Sequence, residues 1–335
     1  MLNKRSLSME RKKKKRKRVF LFILLPILLV GCSTAAFGAH LYGEFKKTVS
    51  DSYEQIEGRD SSPIREEAFK LEKDHFSMLI IGVDDSEKRG YGENSRSDAL
   101  MLLTVNQNDH TAKLLSIPRD SYVYIPEVDH KTRINHAHAY GGPKATIETV
   151  EELFDIPVDY YVRVNFQAFM EVIDALGGIE IDVPFAFSEQ DSNDQAHAIS
   201  LEPGIQTLDG EEALALARTR KIDNDIERGK RQQEIIKAVI KKATSINSIT
   251  KFDDVFDAIG SNMKTNLTFK EMKYLAEFAI KKKLSIESLT LAGTDSTHHG
   301  AYYYQLDEPA LEELKTELQT HLETIKPTGD QTESE

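Results

Sequence analysis

Apolar and polar positions along the chain first follow the pattern of short buried strands. Phe76 to Val83 is a nearly continuous apolar run that ends at two aspartates, which indicates a buried strand. Ala99 to Val105 and Ala112 to Ile117 predict two further strands, joined by the polar turn Asn106 to Asp109. Because three strands precede any helix, we expect a mixed sheet rather than a purely parallel βαβ array.

Helical periodicity then takes over and alternates with further strands. The predicted helices are Pro143 to Phe154, Phe166 to Leu176, Asp209 to Ala217, Asp225 to Ser245, one that begins at Thr268, and Pro309 to Ile325. The later predicted strands are Val158 to Asn165, Ile179 to Val183 and Ile286 to Leu291. Asp209 with Glu212, and Thr268 with Glu271, have the spacing of a capping box. The alternation predicts a layered α/β domain.

The N-terminus combines a basic head with an apolar run. Residues 1–18 carry ten Lys and Arg and one Glu, and Val19 to Tyr42 is almost wholly apolar. At ~1.5 Å per helical residue, this run is long enough to cross a hydrocarbon core of ~30 Å. The basic head predicts a single-pass anchor with a cytoplasmic N-terminus. Leu29 to Cys32 resembles a bacterial lipobox, so a lipoprotein anchored at Cys32 is the alternative.

These patterns divide the 335 residues into five segments. They are a basic cytoplasmic head (1–18), a transmembrane anchor (19–42), a stalk (43–74), an extracellular domain (75–326) and a disordered tail (327–335). The net charge of −12 arises in spite of the basic head, so the remainder is strongly acidic and no nucleic-acid partner is expected. Cys32 is the single cysteine, which excludes a disulfide or a thiolate metal site within one chain.

Charged residues gather at the predicted strand ends. Asp84 follows the first strand, Asp98 begins the second, and Arg119 follows the third. Two carboxylates from neighbouring strands suit Mg²⁺, which usually binds one or two carboxylates together with phosphate oxygens. An arginine beside them would stabilise a transferring phosphoryl group. These ends therefore predict a phosphate-binding site.

Arginine also recurs in the segment ARTRKIDNDIERGKRQQ, which runs from Ala217 to Gln233. Guanidinium groups suit phosphates because they stay charged and can bind two oxygens at once. Asp225, Arg228 and Gln232 have i, i+3 and i+7 spacing and share one face of the predicted helix, whereas Arg231 falls off that face. The alternative is a solvated charged face, in which each ion pair contributes under ~1 kcal/mol.

Eight motifs follow one another as they do in the LytR–CpsA–Psr family. They are Met78 to Asp85, Arg96-Ser97-Asp98, SIPRDSYV (Ser116 to Val123), INHAHAYGG (Ile134 to Gly142), VDYYVRVNFQAF (Val158 to Phe169), DALGGIEIDVP (Asp174 to Pro184), LDGEEALALARTRK (Leu208 to Lys221) and DIERGKRQQ (Asp225 to Gln233). The resemblance covers about Phe76 to Ser245. It implies an α-β-α layered domain with a central mixed sheet, held at the outer face of a Gram-positive cell membrane.

The resemblance also implies a function similar to that of the Tag-type teichoic acid transferases. Such an enzyme moves an anionic glycopolymer, such as wall teichoic acid, from an undecaprenyl-pyrophosphate carrier to peptidoglycan. The implied cofactor is Mg²⁺, with Mn²⁺ as a substitute. A binding module that retains the lipid-linked polymer without chemistry, and a transcriptional attenuator, are the alternative functions.

The family motifs imply roles for individual residues. Asp84 and Asp98 match the metal-associated carboxylates, with Asp85 as an alternative to Asp84, and Asp84, Asp98 and Arg119 form the implied catalytic set. The implied pyrophosphate-binding set is Arg96, Arg119, Arg218, Arg220, Asp225, Arg228 and Gln232. The family also implies an apolar tunnel for the polyprenyl chain, for which the candidates are Phe166, Phe169 and Val172.

Overall fold

A computed structural model describes residues 52–84, 95–220, 224–245, 262–298 and 300–324. All of these residues belong to one compact unit. The predicted basic head, anchor and tail lie outside the described residues, as do Cys32 and Asp85. Within the described ranges, no helix is both long and apolar enough to cross a membrane.

Short strands and six longer helices make up the described part of the unit. The strands are β1 (Phe76–Val83), β2 (Ser97–Asn106), β3 (Thr111–Ser116), β4 (Tyr122–Ile125), β5 (His130–Arg133), β6 (Tyr160–Asn165), β7 (Ile179–Val183), β8 (Phe187–Glu189), β9 (Ile199–Leu201), β10 (Gly204–Leu208), β11 (Met263–Thr265), β12 (Ser285–Thr290), β13 (Gly293–His298) and β14 (Ala301–Leu306). The helices are α1 (His136–Phe154), α2 (Phe166–Ala175), α3 (Gly210–Arg218), α4 (Asp225–Ala243), α5 (Phe269–Lys282) and α6 (Glu308–His321).

A six-stranded mixed sheet forms the centre, with the strand order β11-β6-β1-β2-β3-β12. The first three strands form the antiparallel meander that the apolar runs predict. β6 pairs in parallel with β1, and β12 pairs in parallel with β3. Parallel strands need a crossover connection, and the chain between the two strands of each pair includes helices. The predicted α/β fold with a central mixed sheet is therefore confirmed.

Two apolar clusters form the core of the unit. The first joins β1 and β2 to α1 and α6 through residues such as Leu79, Phe154 and Leu318, none of which is exposed. The second joins α2, α3 and α4 to the small β7–β10 sheet through residues such as Ile173 and Ile235. Burial of this apolar area, at about 25 cal/mol per Å², is the main force that holds the helical layers on the sheet.

Helix α1 begins earlier than the pattern predicts, because two helical stretches meet at a break. Gly141 has a φ of −147° and Gly142 a φ of +61°, and Pro143 then starts the stretch that the sequence predicts. The positive φ at Gly142 is one that side chains rarely adopt, so glycine is required there. The capping boxes predicted at Asp209 and Thr268 are both present.

The segment before β1 is held on the domain by ion pairs. Arg59 Nη2 lies 2.5 Å from Glu151 Oε1, and the Ser62 hydroxyl donates to the same oxygen. Arg65 donates to both oxygens of Asp159 at 2.9 and 2.6 Å. The two carboxylate side chains are only 5% and 2% exposed. Further back, the Glu54 amide donates to the Thr265 carbonyl at 2.7 Å, so contacts within the folded unit reach beyond Arg59.

His321 ends α6 and lies between two threonines of the sheet. Its Nδ1 is 2.9 Å from Thr104 Oγ1, and its Nε2 is 2.9 Å from Thr111 Oγ1. Burial, followed by the charges of Lys113 and His75, lowers the pKa of His321 from 6.5 to about 4. The neutral imidazole satisfies both threonines because one nitrogen donates and the other accepts.

We expect His321 to make the folded state sensitive to acid. The unfolded chain binds a proton at His321 below about pH 6.5, whereas the folded chain does so only near pH 4, so stability is lost as the pH falls through this window. The unfolding free energy of wild type should fall between pH 7 and pH 5. In His321→Gln this fall should be smaller by about 1–2 kcal/mol. Urea unfolding at both pH values measures this difference. The exposed His130→Gln is the control, and equal losses in all three proteins would contradict the prediction.

Candidate functional site

Two aspartates meet where β1 ends and β2 begins. The strands are antiparallel, and Val83 pairs with Ser97 after a register shift at Gly82. Asp84 follows directly and is buried, with 8% of its surface exposed. Asp98 lies in the irregular part of the ladder, one residue beyond Ser97. The antiparallel pairing of β1 and β2 thus brings the two predicted carboxylates to one edge of the sheet.

Arg119 reaches the same edge from the end of β3. Beyond the end of β3 the chain still lies beside β2, because the Ile117 amide donates to the Leu100 carbonyl at 2.9 Å. Arg119 Nη1 then donates to Asp98 Oδ1 at 2.6 Å. Burial opposes the charge of Arg119, but Asp98, Asp120 and Asp225 outweigh it and raise the pKa of the guanidinium. Arg119 therefore remains a fixed positive charge in the site.

Helix α4 brings the second arginine cluster onto this edge. Its N-cap, Asn224, accepts hydrogen bonds at 3.0 Å from the Ile226 and Glu227 amides. Gly229 allows the helix to approach β3 closely, because a Cβ there would lie 2.5 Å from Ser116 Oγ. The neighbouring Arg228 is only 6% exposed, and its Nη2 donates to the Asp98 carbonyl at 3.2 Å.

Asp225 is shared by three arginines. Its carboxylate lies 3.3 Å from Arg228 Nη1, 3.6 Å from Arg119 Nε and 3.6 Å from Arg220 Nε. Burial lowers the pKa of Arg228 to about 10, and Asp225 opposes that effect while Arg220 and Arg119 add to it. Arg228 is thus charged at neutral pH but held among like charges. An anion bound here would relieve this repulsion.

A cavity of about 320 Å³ opens between these elements. Its polar lining contains Asp84, Asp98, Arg119, Asn165, Arg218, Arg220, Arg228 and Gln232. Its apolar lining contains Ile80, Met101, Val164, Phe166, Phe169, Leu214, Ala217, Ile235 and Ile236. The Arg218 guanidinium lies 5.2 Å from the centre of the Phe166 ring, where the two linings meet. Such a cavity suits an amphiphile with an anionic head and an apolar chain.

The cavity brings together most of the predicted site residues. Asp225 is not in the cavity lining and stands behind the arginines as their shared partner. Arg96 is exposed and also lies outside the lining. Val172 is not in the lining, in contrast to the other two residues proposed for the apolar tunnel. Arg231 faces away from the cavity, as predicted, and donates to the Thr219 carbonyl at 2.6 Å.

The sequence did not point to several residues of the lining. Asn165 caps α2 by accepting from the Ala168 amide, so its side chain serves both the helix and the cavity wall. Met101, Leu214 and Ile236 resemble ordinary core residues in the sequence. An apolar residue that lines a cavity and one that fills the core follow the same periodicity, so only the fold separates them.

Comparisons with known proteins identify relatives of this chain. The LytR_cpsA_psr family model matches residues 39–320. The polyisoprenyl-teichoic acid–peptidoglycan teichoic acid transferase TagT of Bacillus subtilis strain 168 is 42% identical over 287 residues, which are 85% of this chain and 88% of TagT. A solved structure described as TagT bound to LI-WTA has a TM-score of 0.70 at 41% identity, covering 81% of this chain and 99% of that one.

A further solved structure contains a lipid. It is described as the LytR-CPS2A-psr family protein YwtF (TagT) with bound octaprenyl pyrophosphate lipid. Its TM-score is 0.66 at 39% identity, and the match covers 81% of this chain and 99% of that one. The match therefore spans nearly the whole of the solved domain.

We expect Asp225→Asn to destabilise the protein, because it leaves the three arginines without their shared counter-ion. The unfolding free energy at low salt should fall by about 1–3 kcal/mol, and inorganic pyrophosphate should recover much of the loss. Glu227→Gln is the matched control, since it lies in the same helical turn but pairs only with Lys230 in an exposed ion pair. Calorimetric unfolding measures both variants, and equal destabilisation would contradict the shared role of Asp225.

Proposed function

Because the chain belongs to the LytR–CpsA–Psr family, we propose that it transfers an anionic glycopolymer, wall teichoic acid, from undecaprenyl pyrophosphate to peptidoglycan. The observation that carries this proposal is the cavity with four arginines and two aspartates beside an apolar interior. The proposal is also supported by the relative named as a teichoic acid transferase and by the related structure that holds a polyprenyl pyrophosphate.

The donor has an apolar polyprenyl chain and an anionic pyrophosphate, and each would bind in the part of the cavity that matches it. The polyprenyl chain would contact Phe166, Phe169 and their apolar neighbours, which removes hydrocarbon surface from water. The pyrophosphate would take the place between Arg119, Arg218 and Arg228, where forked guanidinium groups can each bind two oxygens. Arg220 is exposed at the mouth and would contact the polymer side of the pyrophosphate.

The reaction is a single displacement at phosphorus. The hydroxyl oxygen of an acceptor sugar forms a bond to the phosphorus that carries the glycopolymer, while the bond from this phosphorus to the bridging oxygen breaks. Polyprenyl phosphate leaves with the bridging oxygen, and the hydroxyl proton passes to a base or to water. Arg119 and Arg228 would stabilise the charge that develops on the phosphate oxygens.

Asp84 and Asp98 would hold the Mg²⁺ of this reaction. Both carboxylates line the cavity, and Asp84 is buried at the end of β1. Two carboxylates complete a Mg²⁺ site when substrate phosphates supply further oxygens. When bound, the ion would neutralise charge on the pyrophosphate. Asp98 also holds Arg119 at 2.6 Å, so it orients an arginine whether or not the metal is bound.

We further propose that residues 19–42 form an uncleaved membrane anchor, with the cytoplasmic head before it and the catalytic domain outside the cell. The support is the basic head followed by a long apolar run. Mass spectrometry of the protein from washed membranes should find the intact N-terminus. A processed chain that begins with a lipid-modified Cys32 would instead establish the lipoprotein alternative.

We expect Arg228→Ala to lower transfer from a lipid-linked donor to peptidoglycan by about 100-fold or more, because a buried donor to the developing charge is lost. Arg228→Lys should recover only part of the rate, since it keeps the charge but lacks the planar fork. Lys230→Ala, on the same helix with an exposed partner, is the control. Unchanged transfer in folded Arg228→Ala would contradict the proposal. Donor binding without any transfer in wild type would favour a binding module.

The metal proposal has its own test. Chelation with EDTA should abolish transfer by the full chain, and Mg²⁺ should restore it, with Mn²⁺ as a substitute. Asp84→Asn should raise the Mg²⁺ concentration required for half-maximal rate by tenfold or more, because one charged ligand becomes neutral. Full activity in EDTA, or an unchanged metal requirement in Asp84→Asn, would contradict the assignment.

A further inference from the structure

A second cavity of about 290 Å³ lies behind the arginine cluster. Its lining consists of Pro118, Asp120, Asn224, Asp225, Ile226, Gly293, Thr294, Asp295, Tyr302 and Tyr304. The β13–β14 hairpin forms one wall, and it is joined to the chain after β3 by the Tyr304 amide, which donates to the Asp120 carbonyl at 2.8 Å. The start of α4 forms the opposite wall, and the same helix also lines the first cavity. The two cavities therefore lie on either side of one partition.

The two cavities have opposite charge. Four arginines line the first, whereas the second presents Asp120, Asp225 and Asp295 and has no cationic side chain in its lining. Among the described residues, no group of three or more His, Cys, Asp or Glu side chains is placed to hold a metal ion. Asp120 and Asp225 are paired with arginines outside this lining, and Asp295 accepts from Tyr302. Their carboxylate oxygens can accept hydrogen bonds from sugar hydroxyls but cannot donate to phosphate oxygens.

The tyrosines give the second cavity the character of a carbohydrate site. The Tyr302 hydroxyl donates to Asp295 Oδ1 at 2.8 Å, and 44% of Tyr302 is exposed, so the ring is open to a ligand. Burial, followed by the bond to Asp295, raises the pKa of Tyr302, so its hydroxyl stays protonated. Ring faces and the apolar edges of Pro118 and Ile226 can pack on the C–H faces of a sugar while the carboxylates bind its hydroxyls.

The partition between the cavities is Asp225 with its arginines. The Asp225 carboxylate lines the second cavity and lies within 3.6 Å of Arg119, Arg220 and Arg228, all of which line the first. A glycan bound on one side of this partition is therefore held beside a donor bound on the other, and its reacting hydroxyl must lie on a part of the glycan that reaches past the partition. Such adjacency is what a displacement at phosphorus requires of its two substrates.

We propose that the second cavity is the acceptor subsite and binds a neutral N-acetylhexosamine unit of the acceptor glycan through Asp295 and Tyr302. This inference rests on the proposed transfer function. It assigns the two substrates to separate cavities by charge, with the anionic donor among the arginines and the neutral acceptor among the carboxylates.

The test compares substitutions in the full chain in detergent micelles. Asp295→Asn and Tyr302→Phe should each raise the KM for uncross-linked peptidoglycan about tenfold, which is the effect of losing one hydrogen bond to a charged group. The KM for the lipid-linked donor should stay within twofold of wild type. Tyr303→Phe is the matched control, because it makes the same chemical change on the next residue, which is not in the cavity lining.

A second measurement does not depend on turnover. Saturation-transfer NMR with chitotetraose should give a signal with wild type and Tyr303→Phe that is lost in Asp295→Asn and Tyr302→Phe. If wild type transfers no polymer, the proposed function fails, and this binding pattern alone decides whether the cavity accepts sugar. Equal signals in all four proteins, no signal in wild type, or an unchanged acceptor KM in both cavity variants would overturn the assignment.

Discussion

The site depends on one electrostatic constraint, which is that several arginines must be held together in the absence of their ligand. Like charges this close repel one another, and burial adds to the cost at Arg119 and Arg228. Asp225 reduces that cost because it lies between Arg119, Arg220 and Arg228. Asp98 does the same from the sheet by accepting from Arg119. The interleaved carboxylates keep the guanidinium groups in place, so an arriving anion meets an arrangement that is already formed.

Backbone packing gives this charge arrangement its position. Helix α4 approaches the sheet closely enough for Arg228 to reach the carbonyl of Asp98, and this approach requires a residue without a side chain at Gly229. The same helix begins at Asp225, after the N-cap Asn224, so its first turn contributes to the partition between the two cavities. A small shift of one helix would thus change the donor side and the proposed acceptor side together.

The sequence predicted the central sheet because its apolar runs are long, and it predicted two helix starts because their capping boxes are specific. It also predicted that Asp84, Asp98 and Arg119 come together, since strand ends meet at an edge whatever the detailed packing. It did not predict the β13–β14 hairpin, whose residues Gly293–His298 are largely polar and carry little strand signal. A cavity wall built from such a hairpin emerges only when distant segments are folded together, as Tyr304 and Asp120 are here.

The ion pairs of the segment before β1 have a consequence for where the chain can be cut without loss of the fold. Cleavage ahead of Tyr53 keeps the bond from the Glu54 amide to the Thr265 carbonyl and leaves both arginines with Glu151 and Asp159, so the truncated domain retains these contacts. Cleavage after Arg65 leaves two nearly buried carboxylates without their cations, and breaking a buried pair in this way costs about 3–5 kcal/mol. Since two such losses approach the whole stability of a typical domain, a short stretch of this segment separates a truncated protein that stays folded from one that unfolds.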